Sequence, residues 1–219
     1  MRGYVGFEEV KSRLTQLYKP VVLGANAIKA SHTTRMDETI EFQMRKIENT
    51  VWDLYISESI KIKPKLLHQT EGYITHAMKL LGMDAELGKP KIIIASNREV
   101  GGVAGSYSPK ENKLYLNYDA VTAKPGKAAT VGLDIQAVIL HELIHWKDAR
   151  DYVKKFGKIS DQSEYMRYII AKHKKFVDKL KKAGYNIREI SKYAETSYYE
   201  GRYDEVITEY RVIQLLKGE

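Results

Sequence analysis

Residues 134–146 read DIQAVILHELIHW, and this stretch decides the fold. Asp134 is a favourable helix N-cap, and the apolar residues that follow predict a helix continuing well beyond the segment. Apolar side chains surround His141, Glu142 and His145, so we expect these three polar residues to be buried. Burying two imidazoles and a carboxylate is costly unless a metal ion or hydrogen-bonding partners compensate for it.

Around this helix the sequence predicts a small sheet flanked by helices. Strands are predicted where β-branched or alternating residues lie between turn residues, over residues 91–95, 103–106 and 113–117. Helices are predicted from apolar spacings of three and four, over residues 7–18, 37–60, 64–81, 165–180 and 203–216. A flexible connection is predicted over residues 124–132. The order of these helices and strands along the chain predicts an α+β fold, with a helical N-terminal region over 1–85 and a second domain over 86–219.

Composition limits the kind of metal site that this chain can form. The 219 residues include no cysteine, so disulfides and cysteine-ligated zinc are excluded and a metal would need His, Asp or Glu ligands. No apolar run approaches the roughly 20 residues that a membrane span needs. No signal peptide is recognisable, which leaves cytoplasmic, phage-associated and exported locations open.

The net charge of +8 is concentrated between Lys147 and Lys192, where 14 Lys or Arg residues accompany 6 Asp or Glu residues. Such a segment can contact nucleic acid or an anionic surface, or it can form a solvated helix face. We prefer the solvated face, because no nucleic-acid-binding motif accompanies the charge. Weak contact with nucleic acid through residues 147–192 remains the alternative.

The two histidines of the central stretch are spaced for a shared ligand. Residues four apart lie on one face of a helix, so His141 and His145 can bind a single ion. Glu142 lies beside them, where its carboxylate can reach a water held by the metal and act as a general base. This short motif also occurs by chance, and the alternative is a partly buried helix with two hydrogen-bonded histidines.

A catalytic zinc site needs a third protein ligand, and Glu205 is the best candidate. Glu205 and Glu209 are four apart on a predicted helix, and two such carboxylates repel each other unless positive charge lies near. Asp151, ten residues after His141, is disfavoured as the third ligand. A ligand at that position needs a sharp turn of the chain with glycine at position 148, where this sequence has Asp. His173 is disfavoured because three lysines flank it. Two exposed glutamates on a surface helix remain the alternative for the pair.

Two blocks, residues 141–148 and 198–210, resemble the catalytic domain of the anthrax-lethal-factor-like gluzincins, which include the clostridial Pro-Pro endopeptidases. That family has a tyrosine seven residues before its glutamate ligand and a second acid four residues after it. Tyr198, Glu205 and Glu209 match this pattern. The spacer between the two blocks is longer than in the family.

The resemblance implies a zincin-like catalytic domain over residues 86–219 that cleaves peptide bonds with one Zn²⁺ per chain. It implies that the metal ligands are His141, His145 and Glu205, with Glu142 as the general base.

The resemblance also assigns supporting roles around the metal. It implies that Tyr198 donates a hydrogen bond to the oxyanion of the tetrahedral intermediate, although the adjacent Tyr199 is an open alternative. Glu209 would orient one zinc-bound histidine, and Asp148 would hold the other as a hydrogen-bond acceptor.

A hairpin before the central helix provides the expected substrate-binding strand. Zincins resemble one another in an edge strand that pairs with an extended peptide, and the candidate here comprises Ala104, Gly105, Ser106 and Tyr107. Glycine permits the close backbone approach that such pairing requires. A mobile glycine-rich loop is the alternative.

The expected function is therefore zinc-dependent hydrolysis of a peptide or protein substrate. The alternative is a virion- or nucleic-acid-associated structural or toxin-type protein that retains a zincin fold with little or no protease activity. A DNA-associated zincin protease is disfavoured, because the chain lacks a cysteine zinc ribbon.

Overall fold

The computed structural model describes residues 22–33, 39–83, 88–123 and 134–218. The strands are β1 (Val22–Thr33), β2 (Thr39–Glu48), β3 (Leu54–Ser57), β4 (Lys91–Ala95), β5 (Gly105–Ser108) and β6 (Lys113–Asn117). The helices are α1 (Pro64–Leu80), α2 (Tyr118–Thr122), α3 (Ile135–Phe156), α4 (Gln162–Lys182), α5 (Ile187–Ile190), α6 (Lys192–Tyr199) and α7 (Tyr203–Lys217). The expectation of an α+β fold is confirmed.

The strands form one mixed sheet in the order β1-β2-β3-β4-β6-β5. The central strands β3, β4 and β6 run parallel to one another, while β1, β2 and β5 pair antiparallel with their neighbours. β5 is therefore the last strand at one end of the sheet. Alternate residues of a strand point to opposite faces, and both faces of this sheet carry buried side chains.

The main core lies between one face of the sheet and helices α1 and α3. Ile92, Ile94, Leu114 and Leu116 of the sheet pack there against apolar residues of both helices. Helix α3 begins after Asp134, whose side chain accepts a hydrogen bond from the backbone N–H of residue 136. The predicted N-cap is thus confirmed, and the buried α3 is fixed against the sheet that ends in β5.

The predicted helix over residues 37–60 is wrong, because that stretch contains β2 and β3. Phe42 and Met44 lie on one face of the sheet and Ile47 on the other, so both faces are buried and the pattern imitates a helical spacing. Val51, which fitted the helical pattern, is an exposed residue between the strands. Tertiary packing overrode the apparent periodicity.

This correction extends to the predicted division at residues 85 and 86. β3 pairs with β4 in parallel, so strands from both sides of that boundary belong to one sheet. The described part of residues 1–85 contains strands as well as α1 and is not a helical region. The predicted helix over 7–18 and the connection over 124–132 lie outside the described residues.

The other predicted elements are close to the observed ones. The helices beginning at Pro64 and Tyr203 and the strands over 91–95 and 113–117 are confirmed, while the strand predicted over 103–106 lies at Gly105–Ser108. The short helices α2, α5 and α6 were not predicted. None of the helices in the described parts of the chain is long and apolar enough to cross a membrane.

Candidate metal centre

A candidate metal site, called the metal centre below, lies where α3 meets α7 beneath strand β5. α3 contributes His141 and His145 from adjacent turns of one face, and α7 contributes Glu205 from its first turn. Ligand atoms of the three side chains all lie within 4.8 Å of one another. The structure therefore brings together three residues that are separated by up to 64 positions in the sequence.

The distances between the ligand atoms suit a small tetrahedral cation. Nε2 of His141 lies 3.2 Å from Nε2 of His145 and 3.0 Å from Oε2 of Glu205, and the latter two atoms are 3.5 Å apart. Zinc bonds to nitrogen and oxygen of about 2.0–2.2 Å would place tetrahedral ligands roughly 3.3–3.6 Å apart. The residues present therefore fit a zinc ion without a large rearrangement.

The acids of the cluster favour positive charge on its histidines. Burial lowers the pKa of His141, but hydrogen bonds to Glu205 and Glu209 outweigh this and raise the pKa to about 10. Burial raises the pKa of Glu205, but the adjacent His145 and His141 hold it well below its ordinary value. In the absence of a metal, protons on the imidazoles supply positive charge that a bound cation would otherwise provide.

Glu209 holds His141 in one orientation from the next turn of α7. Its Oε1 lies 3.0 Å from Nδ1 of His141, and its Oε2 accepts a hydrogen bond from the Ser191 hydroxyl at 2.9 Å. A hydrogen bond at Nδ1 directs Nε2 of the same ring towards the ligand cluster. Glu209 thus contacts a histidine of the motif, and its role towards a metal-bound histidine stays a prediction.

Asp148 occupies a different cluster from the one expected. Its carboxylate lies 3.0 Å from Nε2 of His173 and 3.0 Å from Nζ of Lys172, with NH1 of Arg211 at 3.4 Å. The three cationic or basic groups come from α4 and α7. The structure therefore does not bring Asp148 to either ring of the motif, and the expectation that it holds a metal-binding histidine is corrected. We call these four residues the Asp148 cluster.

The charge of the Asp148 cluster is balanced within the protein. Burial raises the pKa of Asp148, but His173, Arg211 and Lys172 together hold that pKa far below its usual range. His173, which its flanking lysines made a poor candidate ligand, is buried beside Asp148 and lies outside the candidate ligand group. Asp151 is exposed on α3, as expected for a residue outside the metal site.

Tyr198 does not line the cavity at the metal centre. Its hydroxyl accepts a hydrogen bond from Lys181 at 2.6 Å, and its ring packs against Tyr199 and Tyr203. Tyr199 is exposed on the surface. Neither Tyr198 nor Tyr199 lines the cavity that contains the candidate ligands. The expectation that one of these two tyrosines faces the metal is therefore corrected.

Tyr193 lines the cavity beside His141, and no pattern in the sequence indicated this residue. It lies on the unpredicted helix α6, and its ring centre is 6.2 Å from that of His141. Its hydroxyl accepts a hydrogen bond from NH1 of Arg202 at 3.1 Å. NH1 of Arg202 also lies 3.9 Å from Oε1 of Glu205, so one guanidinium connects the tyrosine with a candidate ligand.

Strand β5 lies directly against the motif helix. A Cβ atom added to Gly105 would lie 2.8 Å from Cγ1 of Val138 and 3.0 Å from Cγ of Glu142. Only glycine allows the strand to approach the helix this closely. All four predicted residues of this strand, Ala104, Gly105, Ser106 and Tyr107, line one cavity with His141, Glu142 and His145.

Three lysines of the basic segment make contacts within the protein. Lys172 pairs with Asp148, Lys174 with Asp178, and Lys181 with the hydroxyl of Tyr198. These contacts suit the preferred interpretation of a solvated helix face. Contact between residues 147–192 and nucleic acid stays a prediction.

Comparison of the chain with protein-family models, with curated proteins and with solved structures finds no significant match. The function must therefore be argued from the site itself.

Proposed function

We propose that this protein is a zinc-dependent endopeptidase of the gluzincin type, built on a zincin-like arrangement of edge strand and motif helix. The observation that carries the proposal is the convergence of His141, His145 and Glu205 at tetrahedral spacing. Glu142 lies next to these ligands in the same cavity. A metal with three protein ligands keeps an open coordination position, which distinguishes a catalytic zinc site from a structural one.

His141, His145 and Glu205 would hold the ion. Zinc, when bound, supplies a Lewis acid that polarises a carbonyl and lowers the pKa of a coordinated water to about 7. Glu209 and Ser191 keep His141 in the orientation that this binding requires.

Glu142 is the proposed general base. Its side chain is buried, lines the cavity and lies beside both histidines without belonging to the ligand cluster. A carboxylate so placed takes a proton from the attacking water and delivers it to the amine that leaves when the peptide bond breaks. Such a residue contributes about 10²- to 10⁴-fold to the rate.

Strand β5 is the proposed docking edge for the substrate. An extended peptide that adds to this edge would place its backbone beside Glu142, since Gly105 lies in contact with that side chain. β5 pairs antiparallel with β6 and is the outermost strand on that side of the sheet among the described residues.

Tyr193 replaces Tyr198 in our proposal as the donor to the oxyanion. Its ring lies beside His141, and the guanidinium of Arg202 fixes the position of its hydroxyl. A comparable donor contributes about 10²- to 10³-fold to kcat. Tyr193→Phe should therefore lower kcat by that factor, whereas Tyr198→Phe should leave kcat within about twofold. An equal loss in both variants would argue against this assignment.

The function is tested with purified protein and a random peptide library. We expect about one zinc per chain by elemental analysis, cleavage that a chelator abolishes, and recovery of cleavage when zinc is restored. Glu142→Gln should retain zinc and lose cleavage, whereas Asp151→Asn on the same helix should behave as the unmodified protein does. Equal inactivity of the unmodified protein and Glu142→Gln, with zinc present in both, would overturn the proposal.

A further inference from the structure

The cavity at the metal centre extends beyond the candidate ligands. It measures about 420 Å³, which is within the range of about 300–1,000 Å³ of sites that bind small ligands. On one side it is walled by three residues of α4, namely Tyr165, Met166 and Ile169. Asp204 of α7 also lines it, one position before Glu205.

Asp204 is a buried acid that forms no side-chain hydrogen bond or ion pair with the described residues. Only 4% of its surface is exposed, and its Oδ1 is buried without a hydrogen bond. None of the described side chains forms an ion pair with it, in contrast to Asp148, Glu205 and Glu209. A buried carboxylate without a partner is unfavourable, and a cation that enters from the cavity would relieve this cost.

The rest of the cavity suits a ligand that is apolar along its length and polar at its end. The hydroxyl of Ser106, on β5, is a second buried polar group without a hydrogen bond. The ring of Tyr165 and the side chains of Met166 and Ile169 provide apolar contact. Lysine and arginine combine an aliphatic stem with a cationic end, and therefore match both parts of this surface.

The position of Asp204 on its helix does not account for its burial. It lies in the first turn of α7, where the helix dipole favours an acid. An exposed acid in that turn would gain the same benefit without losing its hydration. The burial of Asp204 in the wall of the cavity therefore points to a ligand.

We propose that Asp204 forms a subsite for a lysine or arginine side chain of the residue beside the scissile bond. The inference deepens the proposed function and rests on it for the position of that bond. The carboxylate binds the cationic end, and the α4 wall contacts the stem. Asp204 is thus a specificity-determining residue.

The test separates binding from catalysis by using zinc-loaded Glu142→Gln protein. Positional libraries of acetylated hexapeptide amides are incubated with this protein, and the retained peptides are sequenced. We expect enrichment of lysine or arginine at one position. By calorimetry, replacing that residue with norleucine, which keeps the stem and removes the charge, should weaken binding about tenfold or more.

The same measurements on variants assign the effect to one side chain. Adding Asp204→Asn to the protein should remove the preference for lysine over norleucine. Adding Asp151→Asn, an exposed acid on α3, should leave that preference unchanged. The subsite is overturned if no basic residue is enriched, if no peptide is retained, or if the preference survives in the Asp204→Asn protein.

Failure of the subsite differs from failure of the proposed function. If the unmodified protein cleaves library peptides without preferring lysine or arginine, the proposed peptidase activity is supported and the proposed subsite is wrong. If the unmodified protein cleaves no library peptide while the Glu142→Gln protein still selects lysine, the proposed peptidase activity is wrong and the subsite for a cationic side chain is supported.

Discussion

Helix α3 takes part in two clusters of histidine and acid that lie one turn apart but differ in charge balance. At the metal centre, His141 and His145 face Glu205 and Glu209, two acids of α7. In the Asp148 cluster, a single carboxylate is surrounded by His173, Lys172 and Arg211. The first cluster has more acid than fixed positive charge, and the second has more positive charge than acid.

The difference indicates which cluster binds a cation. Lys172 and Arg211 carry fixed charges that satisfy Asp148 inside the protein, so that cluster needs nothing from solution. At the metal centre the ion pair from Arg202 to Glu205 is long, at 3.9 Å, so the two acids depend on protons or a metal for further positive charge. Residue types alone do not distinguish a structural ion cluster from a metal site, whereas the balance of fixed charge does.

The largest expected effect comes from removing the acid of each cluster and measuring zinc. Glu205→Ala should weaken zinc binding by more than about a hundredfold, because even residues that only support a ligand contribute about 10- to 100-fold. Asp148→Ala should leave the affinity within about threefold of the unmodified protein. Competition with a fluorescent chelator measures both. Similar losses of zinc affinity in the two variants would contradict the inference that only the metal centre binds zinc.

Asp148 should contribute to the stability of the metal-free protein. Asp148→Asn should lower the free energy of unfolding at pH 7 by about 2 kcal/mol, because the buried His173 and the partly exposed Lys172 and Arg211 lose their shared acid. The exposed control Asp151→Asn should change it by less than about 0.5 kcal/mol. Denaturant unfolding followed by circular dichroism provides the measurement.

The effect at Asp148 should also depend on pH. Its pKa is depressed in the folded protein, so its contribution is complete above the unfolded value of about 4 and is lost as the pH falls below that value. The difference in free energy of unfolding between the unmodified protein and Asp148→Asn should therefore be constant near neutrality and become smaller below about pH 4. A gap that stays constant down to pH 3 would contradict the assigned charge on Asp148.

A smaller effect on zinc affinity is expected from replacing Glu209, which contacts His141 at the metal centre. Glu209→Ala should weaken zinc binding about 10- to 100-fold, since His141 loses the acceptor at Nδ1. Glu209→Gln, which keeps an acceptor of similar size, should cause a smaller loss. Zinc affinity unchanged in Glu209→Ala would show that the orientation of His141 does not depend on this acid.

The smallest effect concerns Asp204, the buried acid that belongs to neither cluster. Asp204→Asn should raise the free energy of unfolding of the ligand-free protein by about 1 kcal/mol, because it removes a charge without a partner among the described residues. Thermal unfolding without peptide measures the change. A loss of stability would mean that Asp204 chiefly supports the first turn of α7, and would weaken its assignment to substrate binding.

Local sequence patterns predicted much of the metal centre and its helix. The spacing of His141 and His145 follows from the geometry of a single helix, and Glu205 and Glu209 follow from the same rule applied to α7. The N-cap at Asp134 is likewise a local signal. These residues were identifiable because each relationship spans only one turn of a helix.

Relationships between distant elements were not predictable from local patterns. The spacing that suggested Tyr198 assumed a family-like path into α7, whereas the unpredicted helix α6 presents Tyr193 to the cavity instead. The partners of Asp148 come from α4 and α7, and no local pattern links them. The helix predicted over 37–60 failed because burial on both faces of a sheet obscures the alternation of a strand.

The sequence by itself determined which residues are able to bind a metal, because ligand types and the one-turn spacing of a helix are local properties. The tertiary structure alone decided which acids meet which histidines. It joined His141 to Glu205 and Glu209, gave Asp148 its own cations and left Asp204 in the cavity wall. The reason is physical: charge balance in a buried cluster depends on distances between elements, and packing sets those distances.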